Sequence, residues 1–317
     1  MNTYLDFEKP IAELEGKILE LEHAADGNAV NIGEEVAKLK AKADQLIRAT
    51  YGKLTPLQKT QVARHPDRPH FQDYVAGLVE DFTPLAGDRL FGEDKAIQGG
   101  LGRFRGRSVM VIGHEKGRGT DGRVAHSFGM ARPEGYRKAI RLMHMADRFR
   151  LPVITLVDTP GAFPGADAEA RGIAEAIARG IEACLELRVP LIAAIVGEGG
   201  SGGAVAIAAA NKVLMLEHAV YTVATPEACA SILWHAAEKA PEASEALKIT
   251  AKDLLKLKVI DAIVPEPMGG AHRAPEQVIE ALGDAIEENL KGFAGIDPGM
   301  VRESRRRKFL DMGRVGL

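Results

Sequence analysis

The sequence predicts an α/β fold. Strand-like apolar runs alternate with helix-period segments over most of the chain. Two of the runs end in glycine-rich stretches, 158–165 and 197–203. Such alternation implies a largely parallel sheet with ligands at the carboxyl ends of its strands. At 317 residues, 46% apolar and 27% charged, the chain has the composition of a soluble protein with a large core.

Composition also excludes function classes. No apolar run approaches a membrane span, and no charged-then-apolar leader opens the chain. Cys184 and Cys229 are too few for a disulfide framework and too isolated for a zinc site. A cytoplasmic protein with no metal of its own is expected. The net charge of −3 gives no overall pull toward nucleic acid, but charge is unevenly spread. Residues 1–50 carry ten acids against six bases, and 101–150 carry twelve bases against four acids. The second region reads as a surface for phosphates or an acidic partner, with a plain solvated face as the alternative.

The elements follow in order. Ile11, Leu14, Ile18 and Leu21 form one narrow helical stripe, and Val36, Leu39, Ala43 and Leu46 form another. They predict a hairpin arm with a turn at His23–Asn28 and an N-cap at Asn31 backed by Glu34. Its stripes need something else to pack on, a partner chain or the protein's own body. A helix near Pro56–Arg64 precedes the proline-broken His65-Pro-Asp-Arg-Pro-His70, whose two histidines lack a third metal ligand. Residues 96–113 read as a hairpin ending in the buried strand Val109–Ile112, and 113–129 as loop. Helix is expected over 135–149 and 168–187, and strand over 152–157, 213–216, 220–223 and 259–264. Helix is also expected over 226–234, 254–257 and 274–290, and the last residues, with Arg305-Arg-Arg-Lys308, read as a basic, poorly ordered tail.

The centre of the chain is Leu191–Val196, a fully buried strand, followed by the glycines of 197–203 as a turn and by a small-residue helix from Ala204 to Ala210. A strand feeding a helix N-terminus leaves backbone N–H groups pointing outward, an anion or oxyanion site built from backbone. A turn needed only for packing is the competing explanation. Three motifs overlap here. Gly197-Glu-Gly-Gly-Ser-Gly202 fits a dinucleotide fingerprint with Glu217 twenty residues on, but only about nine residues separate it from the next strand. Gly199-Gly-Ser201-Gly-Gly203 fits a nucleophile elbow with Asp261 and His272 downstream, without the HGGG-type oxyanion motif. The P-loop fails because no lysine follows the glycines.

Five longer motifs stand in register: Phe128-Gly-Met-Ala-Arg-Pro-Glu-Gly-Tyr-Arg-Lys138, Asp158-Thr-Pro-Gly-Ala162, Gly197-Glu-Gly-Gly-Ser-Gly-Gly-Ala204, Pro226-Glu-Ala-Cys-Ala-Ser-Ile-Leu-Trp234 and Ile263-Val-Pro-Glu-Pro-Met-Gly-Gly-Ala-His-Arg273. With them, and with the opening Leu5-Asp-Phe-Glu-Lys-Pro10, the chain closely resembles the α-subunit family of bacterial acetyl-coenzyme A carboxylase carboxyltransferases almost end to end. The resemblance implies a crotonase-like (ClpP/crotonase) fold of repeated ββα units. An N-terminal arm over 1–65, the carboxyltransferase domain over 66–292 and a basic tail over 293–317 are then expected.

The resemblance also implies a zinc-bearing β subunit as partner in an α2β2 assembly. Biotin on a carrier protein and acetyl-CoA would be the substrates, and ATP would be used only by a separate biotin carboxylase. No membrane or nucleic acid partner is expected. Malonyl-CoA for fatty acid synthesis would be the product. Under this resemblance Gly202 and Gly203 are expected to donate to the biotin ureido oxygen, in a turn where an added side chain leaves folding intact. Gly161, Ala162, Phe163, Gly199 and Gly200 are expected to line the substrate pocket. No catalytic side chain is apparent, so a non-catalytic crotonase-like scaffold that binds acyl-CoA or a partner is the alternative.

Overall fold

The structure is a computed structural model that describes residues 3–24 and 29–314. Helices α1 (Lys9–Ala24) and α2 (Ala29–Tyr51) pack on one another to form the expected arm. Helix α2 already begins at Ala29, so Asn31 lies inside it rather than at its N-cap, and residues 25–28 of the expected turn lie outside the described residues. Ile11, Ile18, Ala43 and Ile47 are buried along the seam. At the foot of the arm Ile11, Ile47 and Tyr51 cluster with Val62 of α3 (Pro56–Ala63). The Tyr51 hydroxyl donates to buried Glu8 at 2.9 Å, and Arg273 reaches Glu15 at 2.7 Å. The apolar stripes therefore pack on each other and, at the foot, on this chain's own body.

The body begins with α4 (Phe71–Leu78), β1 (Val79–Pro84), β2 (Ile97–Phe104) and β3 (Arg107–His114). Then come α5 (Gly119–Ala125), α6 (Pro133–Phe149), β4 (Val153–Thr159), α7 (Ala166–Ala170), α8 (Ile173–Glu186) and β5 (Leu191–Gly200). The rest is α9 (Ser201–Ala208), β6 (Lys212–Leu216), β7 (Val220–Thr222), α10 (Pro226–Trp234), α11 (Ala240–Ala246), α12 (Ala251–Lys256), β8 (Ala262–Val264), α13 (Pro275–Lys291) and α14 (Pro298–Asp311). The main sheet runs β1-β2-β3-β4-β5-β6-β8, with β7 paired to β5. The pairs β1–β2 and β2–β3 are antiparallel, and every pair from β3 onward is parallel. All residues of β4 and β5 are buried, as the continuous apolar runs required.

Strand β5 changes partner along its length. Ile192–Ile195 pair with β6, whereas Glu198–Gly200 pair with β7. The ladder to β4 shifts at the same place, from Val157↔Ile195 to Thr159↔Gly199. One β4 residue there opposes three on β5, a bulge that redirects the strand.

Several expectations change. Gly197–Gly200 are strand and Ser201–Gly203 already helix, so the anticipated glycine turn shrinks to the single left-handed residue Ser201 (φ 52°). Strand-to-helix reversal needs only one such residue here, because the glycines let neighbouring backbone crowd in. The helix expected over 168–187 breaks at Gly172 (φ 80°), and the loop 113–129 contains α5. The basic tail, through residue 314, is not poorly ordered. Its helix α14 buries Val301 and Arg305, and Arg305 donates to the carbonyls of Cys184, Leu187 and Val189 at 2.7–2.8 Å. The guanidinium thereby occupies carbonyls at the end of α8, those of Cys184 and Leu187, and that of Val189 just beyond it.

Candidate active site at the ends of β4 and β5

The bulge brings the two glycine-rich strand ends together. A Cβ on Gly203 would lie 2.7 Å from the Gly161 carbonyl carbon and 2.9 Å from the Ala162 nitrogen, so the two backbones touch. The Pro160 carbonyl likewise fills the space where a Gly200 side chain would be. Gly161 takes φ 154°, and Thr159 clasps it through a hydroxyl that donates to the Gly161 carbonyl at 2.7 Å. The Phe163 N–H donates to the Ala131 carbonyl at 3.0 Å, and its ring lies under the Arg132 guanidinium at 3.9 Å. That pairing fixes the loop after β4.

Backbone donors lie close together at this junction. Helix α9 starts without a side-chain cap, because its N-cap is Gly200. The first-turn N–H groups of Gly202 and Gly203 have no carbonyl four residues back within the helix. Among the described residues the Ala162 N–H has no acceptor. The positive end of α9 adds to the field there. Gly161, Ala162, Gly202 and Gly203 are thus brought together. Gly199 and Gly200 are buried inside β5, against Tyr221 and Pro160. Of the seven expected site residues only Gly202 lines one of the two neighbouring cavities. Phe163 is half-buried beneath Arg132.

Two cavities flank the junction. One is an apolar cleft of about 440 Å³, lined by Ser201, Gly202, Val205, Tyr221, Val223 and Leu254 among others. The other is polar, about 160 Å³, and is walled by Arg64, His65, Lys116, Arg123, Asp158 and Glu198 among others. Glu198 lines the polar cavity, and the next residue along β5, Gly199, faces Tyr221 of the apolar cleft, which sets the two cavities on opposite faces of the strand.

Lys116 Nζ bridges Asp158 Oδ1 at 2.7 Å and Glu198 Oε2 at 2.9 Å, and Arg64 Nε reaches Glu198 Oε1 at 2.6 Å. Burial pushes the Glu198 carboxyl pKa up, but Lys116 and Arg64 more than offset this and hold it below the usual range. In the sequence Asp158 and Glu198 fall within motifs without an assigned role, and Lys116 falls in the basic region expected to meet phosphates or a partner chain. Their partners lie as far as 134 residues away in the chain, and no local pattern links them.

The rival motif readings fail on geometry. Gly197 and Gly199 lie inside β5 and Gly202 inside α9, so no glycine loop is left to cradle a pyrophosphate. Ser201 does sit at a strained strand-to-helix elbow, but no histidine lines its cleft. Asp261 is engaged by Lys308 and by the Val213 N–H, and His272 stacks on His65 at 3.8 Å. Glu8, His65 and His272 place possible ligand atoms within 4.8 Å of one another. The His65 Nδ1 lone pair, however, accepts the Asp67 N–H at 3.2 Å, leaving Nε2 to donate to the Thr3 carbonyl at 3.0 Å. Glu8 is taken by Tyr51, Arg273 and the Leu5 N–H.

The basic region is mostly consumed within the chain. Arg105 pairs with Glu280, Asp284 and Glu287, Arg118 with Asp73, Arg132 with Asp167, Arg137 with Asp88 and Lys138 with Glu93. Arg141 donates to the carbonyls of Leu85, Ala86 and Gly87. No helix among the described residues is long and apolar enough to cross a membrane.

Comparison with known proteins identifies the family and the fold. Residues 4–313 match the family described as acetyl co-enzyme A carboxylase carboxyltransferase-like. The acetyl-coenzyme A carboxylase carboxyl transferase subunit alpha of Paramagnetospirillum magneticum is 66% identical over 313 residues, 99% of each chain. That of Rhodospirillum centenum is 64% identical over 314 residues, again 99% of each chain. Among solved structures, the transcarboxylase 12S hexamer with methylmalonyl-coenzyme A and methylmalonic acid bound superposes with a TM-score of 0.55 at 22% identity, over 67% of this chain and 41% of that one. The β subunit of Pseudomonas aeruginosa geranyl-CoA carboxylase gives 0.54 at 18% identity, over 74% and 44%. These likenesses show the fold, which is crotonase-like. By the match over nearly its whole length, the chain belongs to the acetyl-coenzyme A carboxylase carboxyltransferase family, among its α subunits.

Proposed function

We propose that this chain is the α half of a biotin-dependent carboxyltransferase in the cytoplasm. With a zinc-bearing β subunit in an α2β2 assembly, it moves a carboxyl group from carboxybiotin on a carrier protein to acetyl-CoA, giving malonyl-CoA. Biotin carboxylase would use the ATP. Loss of the carboxyl group puts negative charge on the ureido oxygen of the biotin substrate. Gly202 and Gly203, with Ala162 from the adjoining loop, hold N–H groups toward that charge, and the apolar cleft beside Gly202 takes the ring system. Fixed backbone donors stabilise such charge without titrating, and each is worth about 10²–10³ in turnover. Gly161 and Phe163 shape the loop that presents Ala162.

The observation that carries this reading is the meeting of Ala162, Gly202 and Gly203 beside an apolar cleft, with the Ala162 N–H unpartnered among the described residues. The test is to purify the chain alone and with its cognate β subunit and to assay malonyl-CoA formation from acetyl-CoA and carboxylated carrier. Activity is expected only in the mixture, at the mass of an α2β2 species. A fully active monomer, or an assembled but inactive complex, overturns the reading. The latter result would favour the non-catalytic scaffold.

A further inference from the structure

At the bulge in β5 the sheet leaves backbone groups without ladder partners, and charged side chains take them. Arg68 Nη2 donates to the Val196 carbonyl at 2.8 Å, and the Glu198 N–H donates to Asp158 Oδ1 at 2.8 Å. Lys116, from the segment after β3, then ties Asp158 to Glu198 across the gap, and Arg64 from the end of α3 grips the far oxygen of Glu198. Four parts of the chain meet at this point, immediately behind the two turns that carry the donors. From Asp158 the backbone runs four residues to Ala162, and from Glu198 five residues to Gly203.

We propose that Lys116 is a positioning residue: by bridging Asp158 and Glu198 it sets the spacing of the two strand ends, and through them the aim of the Ala162 and Gly203 N–H groups. This inference rests on the carboxyltransfer reading above. Three features support it. First, Lys116 lines the polar cavity and not the apolar cleft on the opposite face of β5, so it does not touch a substrate held in that cleft. Second, the bridge spans the one place where the β4–β5 ladder is broken and cannot hold the spacing itself. Third, enclosing these charges is costly, and an apolar filling would serve stability as well, so their use here points to geometry. Burial pulls the Lys116 ammonium pKa down, but Asp158 and Glu198 more than offset it and the net shift is upward. The bridge therefore stays charged at neutral pH. A misplacement of about 1 Å at the reacting groups can cost about 10²-fold, so a small slip of either strand end reaches turnover.

The test uses the complex with the β subunit, assayed forward with acetyl-CoA and in reverse as malonyl-CoA-dependent carboxylation of free biotin. Lys116→Met should lower kcat by at least about tenfold, with the KM for free biotin and for malonyl-CoA within about twofold of wild type. Glu198→Gln, which keeps the Lys116–Asp158 bridge, should show a smaller loss with the same split. Combining Lys116→Met with Gly202→Ala should cost less than the product of the single losses, because both displace the same cluster of donors at the start of α9. A purely structural lysine would instead lower the melting temperature and leave the kcat of the assembled fraction intact.

Wild-type kcat in assembled Lys116→Met, a loss confined to KM, or fully multiplicative losses would overturn the inference. If Lys116→Met does not assemble, the kcat and KM of Glu198→Gln decide by the same criteria. Failure of the wild-type complex to transfer carboxyl at all would instead refute the carboxyltransfer reading.

Discussion

Gly203 packs backbone to backbone against Gly161, with room for no side chain between them. The sequence placed Gly203 in a surface turn, where added bulk would leave folding intact. It is buried instead, so Gly203→Val must push the loop after β4 away from α9. Overpacking of this kind costs about 1–3 kcal/mol, and backbone yields less readily than side chains. Urea denaturation should show that loss, and a wild-type midpoint would refute the close approach. Gly202 is the better probe of the donors, because a Cβ there meets only Ile177 Cγ2 at 3.3 Å and Cδ1 at 3.4 Å. Gly202→Ala should fold and assemble, yet lower carboxyl transfer by about tenfold to a hundredfold, because the methyl presses on Ile177 and displaces the first turn of α9 that carries the donors.

Ser201 provides the strand-to-helix reversal with a φ of 52°, a conformation that costs a non-glycine residue about 1–3 kcal/mol. Ser201→Gly should therefore stabilise the chain by up to about 1 kcal/mol. Both Ser201→Gly and Ser201→Ala should keep carboxyl transfer within about tenfold of wild type. A nucleophilic serine would lose several orders of magnitude on either change. Steady-state kinetics on the two variants separates these outcomes.

The sequence made the sheet legible because β4 and β5 are buried on both faces and read as unbroken apolar runs. The proximity of 158–165 to 197–203 followed from their places on consecutive strands. The bulge was not legible, because Val196, Gly197 and Glu198 look like any strand end. Its supporting charges were hidden for a related reason. Arg68 sits in a proline-broken segment that reads as a helix stop, and its partners Val196 and Glu266 lie 128 and 198 residues away. Arg305 misled in the opposite direction. A run of basic residues with few apolar neighbours resembles a solvated tail until the acceptors on α8 are known.

That docking predicts a loss on truncation. Besides three backbone carbonyls, Arg305 donates to Asn211, which in turn donates to the Val301 carbonyl at 2.8 Å. Arg305→Met leaves these buried acceptors unsatisfied, at about 1–3 kcal/mol for each one left unpaired. Removing residues 293–317 should be at least as damaging as that single change. Chemical denaturation of both variants checks this, and unchanged stability on truncation would restore the picture of a dispensable tail.

The pair behind the bulge predicts an acid limit. Arg68 Nη1 and Nη2 meet Glu266 Oε2 and Oε1 at 2.8 and 2.9 Å, and the side chains are 2% and 0% exposed. Glu266 also accepts the N–H groups of His218 and Ala271. Burial by itself would raise the Glu266 pKa, but Arg68 and these donors outweigh it and hold the carboxyl down at about 2. A carboxyl whose folded-state pKa lies below its unfolded value binds its proton first in the unfolded state. Its contribution to stability is therefore complete above the ordinary carboxylate range and is lost as pH falls from there toward 2. This single group contributes a slope of up to about 1.4 kcal/mol per pH unit in that window. Glu266→Gln leaves Arg68 buried without a counter-charge and should cost about 3–5 kcal/mol at neutral pH. The gap to wild type should then narrow steadily as both are unfolded by urea at lower pH. A gap that stays constant down to about pH 3 would show that Glu266 is not held ionised by Arg68. The support for Val196 at the bulge would then have to come from elsewhere.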